Sequence, residues 1–180
     1  MIATPSQTVG PFFSFGLTTN QMLGQVASPD AAGEHIVFRV RITDGGGTPV
    51  PDAIVELWQA DRTGSYGAAS ADFRGFGRLG TDPSGSCAFE TIRPGAATAG
   101  DGSRQAPHIN LCLFMRGLLR HIYTRAYFDG DPRLAQDAVL AKVPEERRGT
   151  LIAHPSAGST SDWIFEIRLQ GEHETVFFDL

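Results

Sequence analysis

The sequence predicts an all-β protein: a two-sheet β-sandwich core with an irregular N-terminal arm, long loops and one short helix near 144–153. Two observations carry this. Short runs alternate apolar and polar side chains, which is the period of a half-buried strand. The 21 glycines and 11 prolines interrupt those runs at close intervals, as turns do in sandwiches and barrels. The 180 residues suit a single domain, 1–180, with 1–25 as its arm.

Along the chain, TPSQTVGPFF opens without alternation, and Phe12, Phe13 and, just beyond it, Phe15 fall close together. An arm this apolar must lie on something, either its own domain or a partner chain. HIVFRVRIT (35–43) places Ile36, Phe38, Val40 and Ile42 on one face, with Arg39 and Arg41 on the other. AIVELWQAD (53–61), GFGRLGTD (75–82) and SCAFETI (86–92) follow as strands, bounded by DGGGTPVP, DPSG and RPG turns. AATAGDGSRQAP (96–107) reads as a polar loop. HINLCLFMRG (108–117) and HIYTRAYF (121–128) read as neighbouring strands. PEERRGTLIA (144–153) reads as the one helix, with Pro144 at its first position and Glu145 and Glu146 at the positive end of its dipole. WIFEIRLQG (163–171) is the last alternating strand, before the apolar tail residues Val176–Phe178, which are expected to pack on a partner. Trp58 and Trp163 are expected in the core, and Arg39, Arg41, Arg125 and Arg168 facing solvent or another chain.

Composition excludes several functions. Hydrophobic content is 41%, charged content 19% and net charge −5, with no basic cluster beyond Arg147–Arg148, so nucleic acid is not an expected partner. No apolar run reaches the ~20 residues that span a bilayer. MIATPSQTVGPFF shows no signal-peptide pattern, and Cys87 and Cys112 read as buried free thiols, so a cytoplasmic chain is expected. There is no G-x-S-x-G elbow, phosphate-binding loop or C-x-x-C pair, and no two histidines form HxH or HxxxH. APHIN does place His108 and Asn110 two apart on a strand, where a pair of histidines would aim at one metal.

Six stretches, in order and across nearly the whole chain, share a pattern with a known family: TPSQTVGPFF, PVPDAIVELWQADRTGSY, FGRLGTDPSGSCAFETIRPG, APHINLCLFMRG, HIYTRAYFDGDP and FEIRLQGEHETVFFDL. The chain resembles the intradiol ring-cleavage dioxygenases, and among them the α chain of enzymes built from two homologous chains. The resemblance implies that only the partner β chain holds Fe(III), through two tyrosinates and two histidines. Here those positions fall on Tyr66, Ala97, His108 and Asn110, so two of four donors are lost and the set reads as a remnant that binds no metal. No catalytic residue is expected on this chain alone.

The resemblance also implies that the α chain lends residues to the pocket beside the partner's iron. These are Thr8, Gly10 and Pro11 in the arm, and Arg116 in LFMRG. A guanidinium there would attract the carboxylate of a hydroxylated benzoate, and Gly10 and Pro11 would shape a rigid turn against it. The implied reaction is cleavage of protocatechuate with O2 between its hydroxylated carbons to 3-carboxy-cis,cis-muconate, in the β-ketoadipate pathway of aromatic degradation. Two other readings stay open at this point. PVPDAIVELWQAD followed by TDPSGSCAFETIRPG also suits a transthyretin-like binding module without metal, although such modules lack the arm and the APHIN–LFMRG block. A self-sufficient metal enzyme would need further ligands near Tyr66 and His108, for which only His121 is a spare candidate.

Overall fold

The computed structural model describes residues 4–67 and 70–179. Alternating runs become strands where the pattern is clean: β1 (His35–Thr43), β2 (Ile54–Gln59), β3 (Phe76–Gly80), β4 (Ser86–Ile92), the two-residue β5 (Ala97–Thr98) and β6 (Arg104–Gln105), then β7 (His108–Phe114), β8 (Ile122–Phe128), β9 (Ile152–Pro155) and β10 (Asp162–Arg168). The pairing order is β3-β2-β7-β8-β9-β10-β1-β4. β9 is the hinge of this ribbon. It runs parallel to β8 through Tyr127↔Ile152 and antiparallel to β10 through Ile164↔His154. The ribbon thereby folds into two facing leaves, β3-β2-β7-β8 and β9-β10-β1-β4.

The core lies between the leaves. One leaf sends in Phe38, Val40, Ile42, Phe89, Phe165 and Ile167, the other Val55, Leu57, Ile109, Leu111, Leu113 and Phe128, all essentially without solvent contact. Phe38 packs on both Phe128 and Phe165 with ring centroids 6.4 Å apart. A polar bridge also crosses the core: Thr91 Oγ1 donates to Gln59 Oε1 (2.8 Å), and Gln59 Nε2 donates to the Ile92 carbonyl (2.9 Å). No helix among the described residues is long and apolar enough to cross a membrane.

Four expectations need correction. The arm is not irregular throughout, because Pro11–Thr18 form helix α1 and Gln21–Gly24 a turn of 3-10 helix. Pro11 at the first helical position supplies the start signal. The rest of the helix is nearly all apolar and buries no residue, so it has no amphipathic period to betray it. Residues 1–3 of the arm lie outside the described residues. The second helix, α2, covers only Glu145–Arg148, continues as 3-10 helix over Gly149–Leu151, and gives way to β9 because Ile152 and Ala153 complete the ladder between the leaves. The tail packs on its own chain: Val176, Phe177 and Phe178 lie against the core clusters, and Phe178 N–H donates to the Tyr123 carbonyl (2.8 Å). Finally, β5 and β6 form a minimal hairpin within the stretch read as loop.

Candidate functional site

The outer face of the leaf β3-β2-β7-β8 carries the site. Alternation turns Val55, Leu57, Ile109 and Leu111 into the core and leaves Glu56, Trp58, His108, Asn110 and Cys112 on the other face. Cross-strand register lines up Phe76, Trp58, Asn110 and Arg125 in one row, and Arg78, Glu56, Cys112 and Tyr123 in the next. His108 stands opposite Tyr127. A cavity of about 570 Å³ opens over these rows, with Val139 and Phe178 among the residues that wall it. Trp58, expected in the core, is 44% exposed because it belongs to this face.

Tyr66 enters from the loop after β2. Asp61 Oδ1 accepts from the backbone of Thr63 (2.7 Å) and Ser65 (3.0 Å), and winds the chain into a tight turn. Gly64 sits in that turn at φ +87°, where a Cβ would fall 1.9 Å from the Ala96 carbonyl oxygen. We predict that Gly64→Ala destabilises the chain by about 3 kcal/mol, as a lower urea midpoint would show, since both the positive φ and the contact oppose a methyl group. Beyond the turn, the Tyr66 ring stacks on Trp58 with centroids 6.4 Å apart.

One directed chain of hydrogen bonds joins the face. His108 Nδ1 lies 2.7 Å from the Ala106 carbonyl, which can only accept, so Nδ1 carries the proton and Nε2 is an acceptor. The Tyr66 hydroxyl donates to Nε2 (2.8 Å) and accepts from Asn110 Nδ2 (3.0 Å). Asn110 Oδ1 accepts from Arg125 Nε (3.0 Å), and Arg125 Nη1 donates to Gln105 Oε1 (3.1 Å). Behind this line, the Tyr127 hydroxyl donates to Asp137 (2.9 Å), whose carboxylate also accepts from the backbone of Ala106, Val139 and Leu140. Asp137 thus ties the segment after β8 to the start of β7.

The titration of these groups follows from their surroundings. Burial pushes the Tyr66 phenol upward against the Asn110 hydrogen bond and the Arg125 charge, so it stays protonated. Burial first, and the Arg125 charge second, hold His108 down to about 4 from 6.5, against the Ala106 hydrogen bond and the Asp137 charge. His108 is 2% exposed. Unfolding therefore takes up a proton below pH 6.5. The stability contributed by neutral His108 is complete above that pH and drains away as pH falls towards about 4. The loss amounts to roughly 3 kcal/mol across that window. Urea unfolding at several pH values, compared with His108→Gln, checks this: the variant should lack that part of the slope.

Fe(III) calls for open, preferably anionic oxygen and imidazole donors. Here the Tyr66 phenol keeps its proton, the His108 lone pair accepts that proton, and the Asn110 oxygen is taken by Arg125. Ala97, buried on β5, brings only a methyl group, and the Arg125 guanidinium adds positive charge. These residues do not fit an Fe(III) centre. His121 does not complete them, because its ring packs between Phe114 (5.3 Å) and Tyr123 (4.9 Å). Among the described residues no group of three or more His, Cys, Asp or Glu side chains is disposed to hold a metal. Arg125, expected at a solvent or chain boundary, is instead the centre of the network. Gln105, Tyr127 and Asp137 also belong to it and carry no motif.

Thr8 and Arg116 meet elsewhere, past the far end of β7, about 20 Å along the strand from Asn110 at ~3.3 Å per residue. Gly117 N–H donates to Thr8 Oγ1 (2.8 Å), which holds the arm on the turn that carries Arg116. Arg116 Nε pairs with Asp52 at 2.6 Å on the open surface. Gly10 has nothing within 4 Å of a built Cβ, and Pro11 opens α1 and shapes no turn. None of these four residues lines the 570 Å³ cavity. Cys87 and Cys112 are free and partly buried, with burial pushing both thiols up to about 12.

A family model described as Dioxygenase matches residues 8–171. The α chain of protocatechuate 3,4-dioxygenase from Burkholderia cepacia is 42% identical over 195 residues, covering 98% of this chain and 97% of that protein. This chain belongs to the intradiol dioxygenase family. The corresponding α chain from Pseudomonas putida is 40% identical, over 98% of this chain and 96% of its own length. The β chain from B. cepacia is 34% identical over 83% of this chain and 70% of that protein. Among solved structures, 3-chlorocatechol 1,2-dioxygenase from Rhodococcus opacus superposes with a TM-score of 0.68 at 20% identity, over 92% of this chain and 71% of that one, which bears on the fold. The transthyretin-like reading gives way, since the family match, from residue 8, takes in most of the arm and the whole APHIN–LFMRG block that such modules lack.

Proposed function

We propose that this chain, 1–180 as one domain, is the iron-free α subunit of a protocatechuate 3,4-dioxygenase. It works in the cytoplasm with a homologous β chain that holds Fe(III). The assembled enzyme cleaves protocatechuate with O2 between its hydroxylated carbons, giving 3-carboxy-cis,cis-muconate. The observation that carries this reading is the closed line Tyr66–His108–Asn110–Arg125, whose first three residues stand where the resemblance puts iron ligands, in a chain similar to α chains over 98% of its length.

The contribution of this chain is positioning. Thr8 fastens the arm beside Arg116, whose side chain stands in solvent and, among the described residues, pairs only with Asp52. In the assembly Arg116 faces the substrate carboxylate, and Gly10 and Pro11 lie along the same wall. Among the described residues nothing would stand within 4 Å of a side-chain carbon at Gly10, which is consistent with space kept for another molecule. Oxygen chemistry belongs to the partner's iron. Co-expression with the β chain tests the reading: protocatechuate-dependent O2 uptake is expected from the co-purified pair and from neither chain alone. Turnover by this chain alone would overturn it.

A further inference from the structure

We propose that the cavity over β2, β7 and β8 binds a monocyclic aromatic carboxylate on this chain itself, without metal, with the carboxylate on Arg125 and the ring against Trp58 and Phe76. The inference does not depend on the chain's having an iron-binding partner. It rests on a charge, a shape and a surface.

The charge is Arg125. Its Nε and Nη1 donate to Asn110 and Gln105, and Nη1 lies 3.5 Å from the Tyr127 hydroxyl, so all its acceptors are neutral. Among the described residues it takes part in no ion pair. Asp137 reaches it only through the Tyr127 hydroxyl. Glu56, the carboxylate that lines the cavity, is committed to Arg78, which donates to it at 2.8 Å. A half-buried guanidinium without a counterion is costly, and an anion entering the cavity would relieve that cost. With Nε and Nη1 engaged, Nη2 is the nitrogen left to meet a ligand.

The shape is a cavity of about 570 Å³. That is within the ~300–1,000 Å³ of small-molecule sites. The surface is aromatic. Trp58 is 44% exposed, stacked on Tyr66 and 6.3 Å from Phe76, and Tyr123 and Phe178 stand opposite a strand away. Flat apolar walls with one cation in the same row describe an aromatic acid better than an aliphatic one or a phosphate.

Isothermal titration of the full chain with benzoate tests the proposal, with benzamide as the neutral isostere. If the chain must be handled with its partner, the same titration is run on the complex, where Arg39→Ala serves as the comparison and the heat lost in Arg125→Gln alone is the signal. Benzoate is expected to bind with Kd on the order of 0.1–1 mM. Benzamide and Arg125→Gln should each bind about tenfold more weakly or worse, while Arg39→Ala, a change on β1 of the other leaf, leaves this binding unchanged. Trp58→Ala, on the exposed rim, should also weaken benzoate and guards against a misfolded Arg125 variant. Equal binding of benzoate and benzamide, wild-type affinity in Arg125→Gln, or no heat up to about 20 mM would each overturn the proposal. A change in O2 uptake on Arg116→Ala bears on the subunit assignment alone, so the two readings fail separately.

Discussion

Replacing Arg116 with alanine in the assembled enzyme is expected to lower kcat/KM for protocatechuate by about 100-fold, with iron content unchanged. Truncation removes a charge-assisted contact to the substrate carboxylate, worth on the order of 2–3 kcal/mol where water is excluded. It should act mainly through KM, since the carboxylate carries the same charge in ground and transition states. The fold should not notice. The Arg116 side chain is 67% exposed and, among the described residues, its only ion pair is with Asp52, so stability should change by less than about 1 kcal/mol. Arg116→Lys keeps the charge but loses the fork, and should fall between wild type and alanine. Unaltered steady-state kinetics would show that Arg116 does not face the substrate.

Deleting residues 1–13 is expected to abolish stable association with the β chain, and with it activity by at least about 100-fold. The deletion takes away Thr8, which anchors the arm to Gly117, together with Phe12, which is 87% exposed. Phe15, further along α1, is 65% exposed. Large aromatic side chains left in water at one surface suit a partner's surface, and each buries ~150–250 Å² when covered. The truncated chain itself should still fold, because α1 contributes no buried residue to the core. Size-exclusion chromatography of the co-expressed pair decides the matter. A fully active, co-eluting complex would show that the arm is dispensable. Phe12→Ser with Phe15→Ser separates the aromatic contacts from the Thr8 anchor.

How legible the molecule is depends on which force places each residue. The core strands are plain because burial on one face leaves a two-residue period. HIVFRVRIT and SCAFETI become β1 and β4 with the bounds their turns suggest. Helix α1 is illegible because it buries nothing, and β9 because four residues between two strands carry too short a pattern. The family pattern singles out Tyr66 and His108 as remnant ligand positions, and the structure brings the two side chains to 2.8 Å. Arg125 is missed because an arginine alternating with apolar residues usually marks a solvent face. HIYTRAYF does hold a signal, since the same alternation sets Tyr123, Arg125 and Tyr127 on one face of β8. Trp58 is misplaced for the converse reason. Its size argues for the core, but its parity with Glu56 puts it on the outer face.

The central claim is that the hydrogen-bond line from His108 to Arg125 closes this chain to iron and leaves the metal to its partner. Iron quantified per chain, in this chain purified alone and in the co-expressed complex, tests it most directly. The account predicts no retained iron in the first sample and one iron per α–β pair in the second. Stoichiometric iron in this chain alone, or two irons per pair, would contradict it.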